Sequence, residues 1–192
     1  MCDLVEIFES LQGEGRNTGR QCVFVRFAGC NLKCPWCDTD VSRRFSLSVP
    51  DLLKEVKAFR AKSVILTGGE PTLVKEMPEL VAALKAEGYW IGVETNGTID
   101  APWLQFVDYV ACSPKRGAAL ALAAANEVRV VAEDEAMVDF CRDVRGKIAA
   151  DDYYVSPCDR NGKIDFATAK NVLAKLTDWS LSVQLHKLLG FK

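Results

Sequence analysis

The chain has 192 residues, 49% of them hydrophobic and 26% charged, a balance that fits one soluble domain with a substantial core rather than two large ones. A formal net charge of −2 with a single histidine provides no broad basic face, so no nucleic-acid partner is expected. No apolar stretch approaches bilayer length, and Met1 to Glu6 is acidic where a signal peptide would be basic, so the expectation is a cytoplasmic protein with no membrane partner.

Short apolar runs alternate with helical patterns along the chain. The predicted strands are Cys22–Phe27, Ser63–Thr67, Trp90–Thr95, Asp108–Cys112, Glu127–Val131, Tyr153–Val155 and Leu181–Leu185, each rich in Val, Ile, Leu or aromatic residues. Between them Val49–Ala61, Met77–Glu87, Asp134–Val144 and Asp165–Trp179 place apolar residues at three- and four-residue spacing and predict helices. Ala118–Ala125 is expected to be a short helix on alanine content. Strands alternating with helices imply a mainly parallel sheet with right-handed crossovers. A full eight-unit barrel needs ~250 residues, with ~200 as its lower limit. The expected fold is therefore α/β, an incomplete TIM-like barrel of about six mainly parallel strands, in one domain over residues 1–192.

Polar groups gather where these strands end. Thr67-Gly68-Gly69-Glu70-Pro71, Glu94-Thr95-Asn96-Gly97 and Ser113-Pro114-Lys115 each follow a strand, at the edge where parallel α/β folds build their sites. Ordinary turn chemistry would account for any one of the three, and less well for all of them.

Eight cysteines would suit a disulfide framework in a short secreted chain, but in a reducing compartment clustered cysteines read as metal ligands. Cys30, Cys34 and Cys37 follow the first predicted strand and can wrap one loop around a small iron-sulfur cluster. Three protein ligands leave one metal position free for a substrate or cofactor, which is a catalytic feature. Two other readings stand beside this one: a zinc site completed by His186 or Cys158, and a redox dithiol at Cys34 and Cys37. The dithiol leaves Cys30 unexplained, and three thiolates do not by themselves choose iron over zinc. Cys2, Cys22, Cys112 and Cys141 read as packing residues without a role.

The CxxxCxxC loop together with Gly68-Gly69-Glu70-Pro71 resembles the radical S-adenosylmethionine superfamily. In that superfamily three cysteines bind a 4Fe-4S cluster, the fourth iron is chelated by the amino and carboxylate groups of S-adenosylmethionine, and the glycine-rich strand end helps hold that amino group. A narrower resemblance covers nearly the whole chain. Glu6 to Gly15, Phe24 to Leu32, Cys37 to Asp40, Val93 to Gly97, Ser113 to Lys115 and Gln184 to Lys187 look like the 7-carboxy-7-deazaguanine synthase family of the 7-deazapurine (queuosine precursor) pathway.

That resemblance implies a lyase that turns 6-carboxy-5,6,7,8-tetrahydropterin into 7-carboxy-7-deazaguanine with loss of ammonia, through a 5′-deoxyadenosyl radical. Its cofactors would be the cluster, S-adenosylmethionine and Mg2+, with flavodoxin or ferredoxin as electron donor and a homodimer as assembly. Leu11, Gln12, Gly13 and Glu14 would read the pterin edge. Arg26 would pair with the substrate carboxylate through its planar fork. Thr67, His186 and the terminal carboxylate of Lys192 would also contact substrate.

By the same resemblance Thr39 would hold magnesium, and Trp36, Cys37, Asp38, Gly69, Glu94, Ser113, Pro114 and Lys115 would surround S-adenosylmethionine with the segment Ser156, Pro157, Cys158 and Asp159. This last segment departs from the Gln-Pro-Met-Asp that the family often shows. Two alternatives compete: a glycyl-radical activating enzyme, which would not need the Leu11 to Glu14 segment or Arg26, and a non-enzymatic iron-sulfur or zinc module, which leaves Gly68 to Pro71 unexplained.

Overall fold

Ser63–Gly68 (β4) shows how the sequence builds its sheet. Val64, Ile65, Leu66 and Thr67 are all buried, the pattern of a central parallel strand covered on both faces. The computed structural model describes all residues, Met1–Lys192. Along the chain, β1 (Cys2–Leu11), β2 (Gln21–Phe27), β3 (Phe45–Leu47) and α1 (Val49–Lys57) precede β4. After it come α2 (Met77–Ala86), β5 (Trp90–Thr95), β6 (Tyr109–Cys112), β7 (Ala124–Ala132), α3 (Met137–Lys147) and β8 (Ala149–Arg160). The last elements are β9 (Lys163–Asp165), α4 (Phe166–Leu173), β10 (Ser180–Leu181) and α5 (Leu185–Leu189).

The strands form one sheet in the order β10-β8-β7-β6-β5-β4-β2-β1-β3, with β9 on the side of β8. From β2 through β8 every neighbour is parallel, and β1 and β3 add an antiparallel edge. β3 and β10 do not meet, so the barrel is incomplete, as expected.

Alternation along each strand divides its residues between two sides. In β2, Val23, Val25 and Phe27 join the main core of 37 buried residues, whereas Cys22 and Phe24 face inward with Ile65 in a small second cluster. α1 begins at Ser48, whose hydroxyl accepts the Asp51 N–H at 3.2 Å, with Pro50 in its first turn and Leu52 and Val56 facing the core.

Several expectations need correction. The alanine-rich Ala118–Ala125 is not helical: Ala121 and Leu122 donate to the Gly97 carbonyl at 2.9 and 3.1 Å, and Ala124 and Ala125 already pair with β8. Sheet pairing and the burial of Leu122 outweigh alanine's weak helix preference. The expected strand Leu181–Leu185 is confined to Ser180–Leu181, and Leu185 opens α5. α1 and α4 end earlier than their apolar periodicity suggests, at Lys57 and Leu173, and α3 is displaced toward the C-terminus. β1 has no counterpart among the predicted strands, because Glu6, Glu9 and Ser10 dilute its apolar pattern.

Candidate active site

The parallel strands aim their inward side chains into a cavity of about 510 Å3 that contains Cys30, Cys34 and Cys37 at one end. The cysteine loop leaves the C-terminal end of β2. It is tied to the glycine-rich turn after β4, where Gly69 donates to the Phe27 carbonyl at 3.1 Å and Glu70 to the Gly29 carbonyl at 3.0 Å. A Cβ on Gly69 would lie 1.8 Å from the Gly29 oxygen, so only glycine allows these two loops to touch. Glu70 itself points away from the cavity: buried, it accepts from the Thr72 N–H and hydroxyl, the Thr95 hydroxyl and the Asn96 N–H. It thereby locks the ends of β4 and β5 together.

The other end of the cavity is closed from the opposite side of the barrel. β1 runs antiparallel to β2 and ends at Leu11 opposite Gln21, so the loop that follows enters beneath the strands and not above them. Gln12 exchanges backbone hydrogen bonds with Gly19 and Arg20, and its Nε2 donates to Glu94 Oε1 at 3.0 Å. Glu94 also accepts the Thr67 hydroxyl at 2.9 Å and Arg129 Nη2 at 2.9 Å. Burial alone would raise the Glu94 carboxyl, but the Arg129 charge and these hydrogen bonds bring it down to about 2.

Leu11, Gln12, Gly13, Glu14, Arg26, Thr67, His186 and Lys192 all line this one cavity, as do Trp36, Asp38, Thr39, Gly69, Glu94, Ser113, Lys115, Ser156, Pro157 and Asp159. Two expected contacts do not. Cys158 is fully buried, and Pro114 lines a separate cavity of about 180 Å3 with Leu120 and Phe140. Arg26 is already engaged: its Nε lies 2.9 Å from Glu6 Oε1, and Lys192 Nζ lies 2.6 Å from the other oxygen of Glu6. Glu94 shares this cavity with Trp36, and its own hydrogen bonds go to Gln12, Thr67 and Arg129. Lys115 Nζ lies 5.2 Å from the centre of the Trp36 ring and donates to the Ser113 hydroxyl at 2.6 Å; burial lowers its pKa.

The C-terminal segment closes one side of the cavity. Leu185 donates to the Gly13 carbonyl at 3.0 Å, and a Cβ on Gly13 would lie 2.4 Å from His186 Nδ1. Sequence reasoning did not single out Arg129, Glu127, Glu6 or Lys187. Arg129 and Glu127 had a legible signal, since two charged residues alternate with valines in Glu127-Val128-Arg129-Val130, which directs both inward on a strand.

The donor set at the upper end fits an open cluster. All three thiols are free, and the Leu32 N–H lies 3.4 Å from Cys30 Sγ. Thiolates of a four-iron cluster each bind a different iron and need not converge on a point. No three His, Cys, Asp or Glu side chains converge as a single-ion site requires, and Cys158 is fully buried and does not line the cavity, which leaves the zinc reading without its geometry.

A half-open parallel barrel with a three-cysteine loop after its first parallel strand and a glycine-rich turn after its second defines a radical S-adenosylmethionine enzyme, and the family model "Radical SAM superfamily" matches residues 24–131. A 7-carboxy-7-deazaguanine synthase from Haemophilus influenzae is 44% identical over 99% of this chain and 94% of its own length, and one from Neisseria meningitidis is 42% identical over 98% and 93%. The crystal structure of QueE from Escherichia coli superposes with a TM-score of 0.78 at 25% identity, covering 96% of this chain and 94% of that one. The chain belongs to the 7-carboxy-7-deazaguanine synthase family.

Proposed function

We propose that the chain converts 6-carboxy-5,6,7,8-tetrahydropterin to 7-carboxy-7-deazaguanine with loss of ammonia, a step in 7-deazapurine (queuosine precursor) biosynthesis. The observation that carries this reading is the two-ended cavity, with Cys30, Cys34 and Cys37 at one end and Gln12, Glu14, Thr67 and Glu94 at the other. Cys30, Cys34 and Cys37 would hold a 4Fe-4S cluster, which with S-adenosylmethionine and one electron from the reductant would supply radical chemistry able to activate a carbon–hydrogen bond of the pterin.

The protein's own contribution is orientation and exclusion. Glu14 and Glu94 accept N–H groups of the pterin ring, and Gln12 presents a carbonyl and an amide to the same edge. Arg26 takes the substrate carboxylate by sharing or giving up Glu6, which makes the Glu6 ion pair the resting partner of that site. Thr39, next to Asp38 at the cluster loop, would offer its hydroxyl oxygen as a hard ligand to a magnesium ion held near the substrate carboxylate. Trp36, Asp38, Gly69, Ser113, Lys115, Ser156, Pro157 and Asp159 surround S-adenosylmethionine, and His186 covers the substrate from the C-terminal side. The closed floor beneath Gln12 suits a small molecule better than the protein backbone that a glycyl-radical activating enzyme must admit.

We read residues 1–192 as one radical S-adenosylmethionine domain, working in the cytoplasm as a homodimer with flavodoxin or ferredoxin as reductant. The test is anaerobic: reconstituted enzyme with S-adenosylmethionine, magnesium, reductant and 6-carboxy-5,6,7,8-tetrahydropterin, followed by product mass, beside C34A. Formation of 7-carboxy-7-deazaguanine by the wild type alone supports the reading. 5′-Deoxyadenosine without that product would mean a different substrate.

A further inference from the structure

Arg129 lies on the inward face of β7 with 5% of its side chain exposed, among three carboxylates. One Nη pairs with Glu14, the other lies 2.9 Å from Glu94 Oε1, and Nε lies 3.0 Å from Glu127 Oε1 without hydrogen-bond alignment. Glu127 belongs to the wall: it accepts the Tyr109 hydroxyl at 2.8 Å and the Arg16 N–H at 2.9 Å. Glu14 and Glu94 instead line the cavity. Three carboxylates around one guanidinium leave this end of the cavity electronegative.

The two cavity-facing carboxylates keep unused acceptor capacity. Oε1 of Glu14 has no partner in the protein, because Arg129 takes Oε2, and Oε2 of Glu94 holds only the Thr67 hydroxyl at 2.9 Å. A guanidinium is planar, always charged and rigid, so one that binds a carboxylate at each Nη fixes their spacing as a flexible ammonium cannot. An acceptor pair held at set spacing selects a planar heterocycle with neighbouring N–H donors, because a ring that lacks one donor leaves a carboxylate oxygen desolvated and unpaired.

We propose that Arg129 is a positioning residue that sets substrate specificity: it holds Glu14 and Glu94 in one frame as a paired acceptor for the 2-amino-4-oxo edge of a pterin. The inference rests on the substrate reading given under Proposed function and deepens it. Arg129 acts through the two glutamates.

The experiment compares wild type, R129K and E14Q as cluster-loaded protein with S-adenosylmethionine bound. Titration calorimetry measures affinity for unreactive 6-carboxypterin and for 6-carboxylumazine, in which an oxo group replaces the 2-amino group. Wild type is expected to prefer the pterin by about a hundredfold, and R129K to lose about tenfold or more of that preference with its S-adenosylmethionine affinity unchanged. A folded R129K that keeps the wild-type preference overturns the proposal. Should R129K fail to fold, E14Q decides, since it removes one acceptor while leaving the Arg129–Glu94 pair; an unchanged preference in E14Q also overturns it. A wild type that binds both rings equally overturns this proposal alone, whereas one that binds neither fails the substrate reading itself.

Discussion

Lys187 holds two carboxylates at once: its Nζ lies 2.6 Å from Asp159 Oδ2 and also pairs with Asp38, the residue after Cys37. Burial works against the ammonium charge, yet the two aspartates raise its pKa. One lysine from α5 therefore ties the cysteine loop to the end of β8 across the cavity mouth.

Replacing this lysine by methionine keeps most of the aliphatic stem and removes the tie. The pairs are partly exposed, with 47% of the Asp38 side chain accessible, so the cost to global stability is about 1 kcal/mol or less. K187M is expected to be cut faster by trypsin after Arg43 and Arg44, and to bind S-adenosylmethionine about three- to tenfold more weakly. Unchanged cleavage and affinity would show that the loop is held by its backbone bonds alone.

Glu70 gathers four hydrogen bonds while 1% exposed. E70A leaves the Asn96 N–H and the Thr95 hydroxyl without acceptors in the core, at a cost of about 3 kcal/mol or more. Urea unfolding should show that loss, and E70Q, which keeps one acceptor oxygen, should recover part of it.

The Glu94 carboxyl, brought to about 2 from its ordinary value of 4.5, links this site to acid stability. A depressed folded-state value contributes stability that is whole above the unfolded value and disappears as pH falls through the folded one. Wild-type stability should thus decline between pH 4.5 and about 2, and E94Q, lower in stability at neutral pH, should show a shallower decline. Denaturation midpoints at pH 7, 5, 4 and 3 check this; parallel curves for the two proteins would sink it.

The cysteines should separate by reactivity. Burial pushes the thiols of Cys22, Cys112 and Cys141 up to about 12 and also raises Cys2 and Cys158, so these five should resist iodoacetamide in the folded, cluster-free protein. Cys30, Cys34 and Cys37 line the cavity and should alkylate, with Cys34 slowest because burial raises its thiol despite Lys115 nearby. Peptide mapping by mass spectrometry reads the order.

Much of this architecture is legible in the amino-acid order because it is local. The strands Trp90–Thr95 and Gln21–Phe27 and the helix Met77–Ala86 fall within one residue of where apolar periodicity puts them, and the cysteine spacing needs only its own loop. Ala118–Ala125 was misleading for the opposite reason: its alanines satisfy a helix locally, but Gly97 and β8 offer the backbone other partners. Arg26 illustrates a different limit. Its planar fork is evident from residue type, while its resting partner Glu6 depends on the register of β1 against β2, which sets Glu6 opposite Arg26.

The parallel α/β class, the three-cysteine loop and many of the residues that line the cavity could thus be read from the sequence, since spacing and side-chain chemistry are properties of short segments. Tertiary structure alone decided that Gln12 and Glu14 rise from the floor of the barrel, that Arg129 pairs there with Glu14 and Glu94, and that Lys187 reaches Asp38 across 149 positions. The physical reason is that a buried charge is tolerated only where distant partners are brought to it, and those partners are chosen by strand order and register.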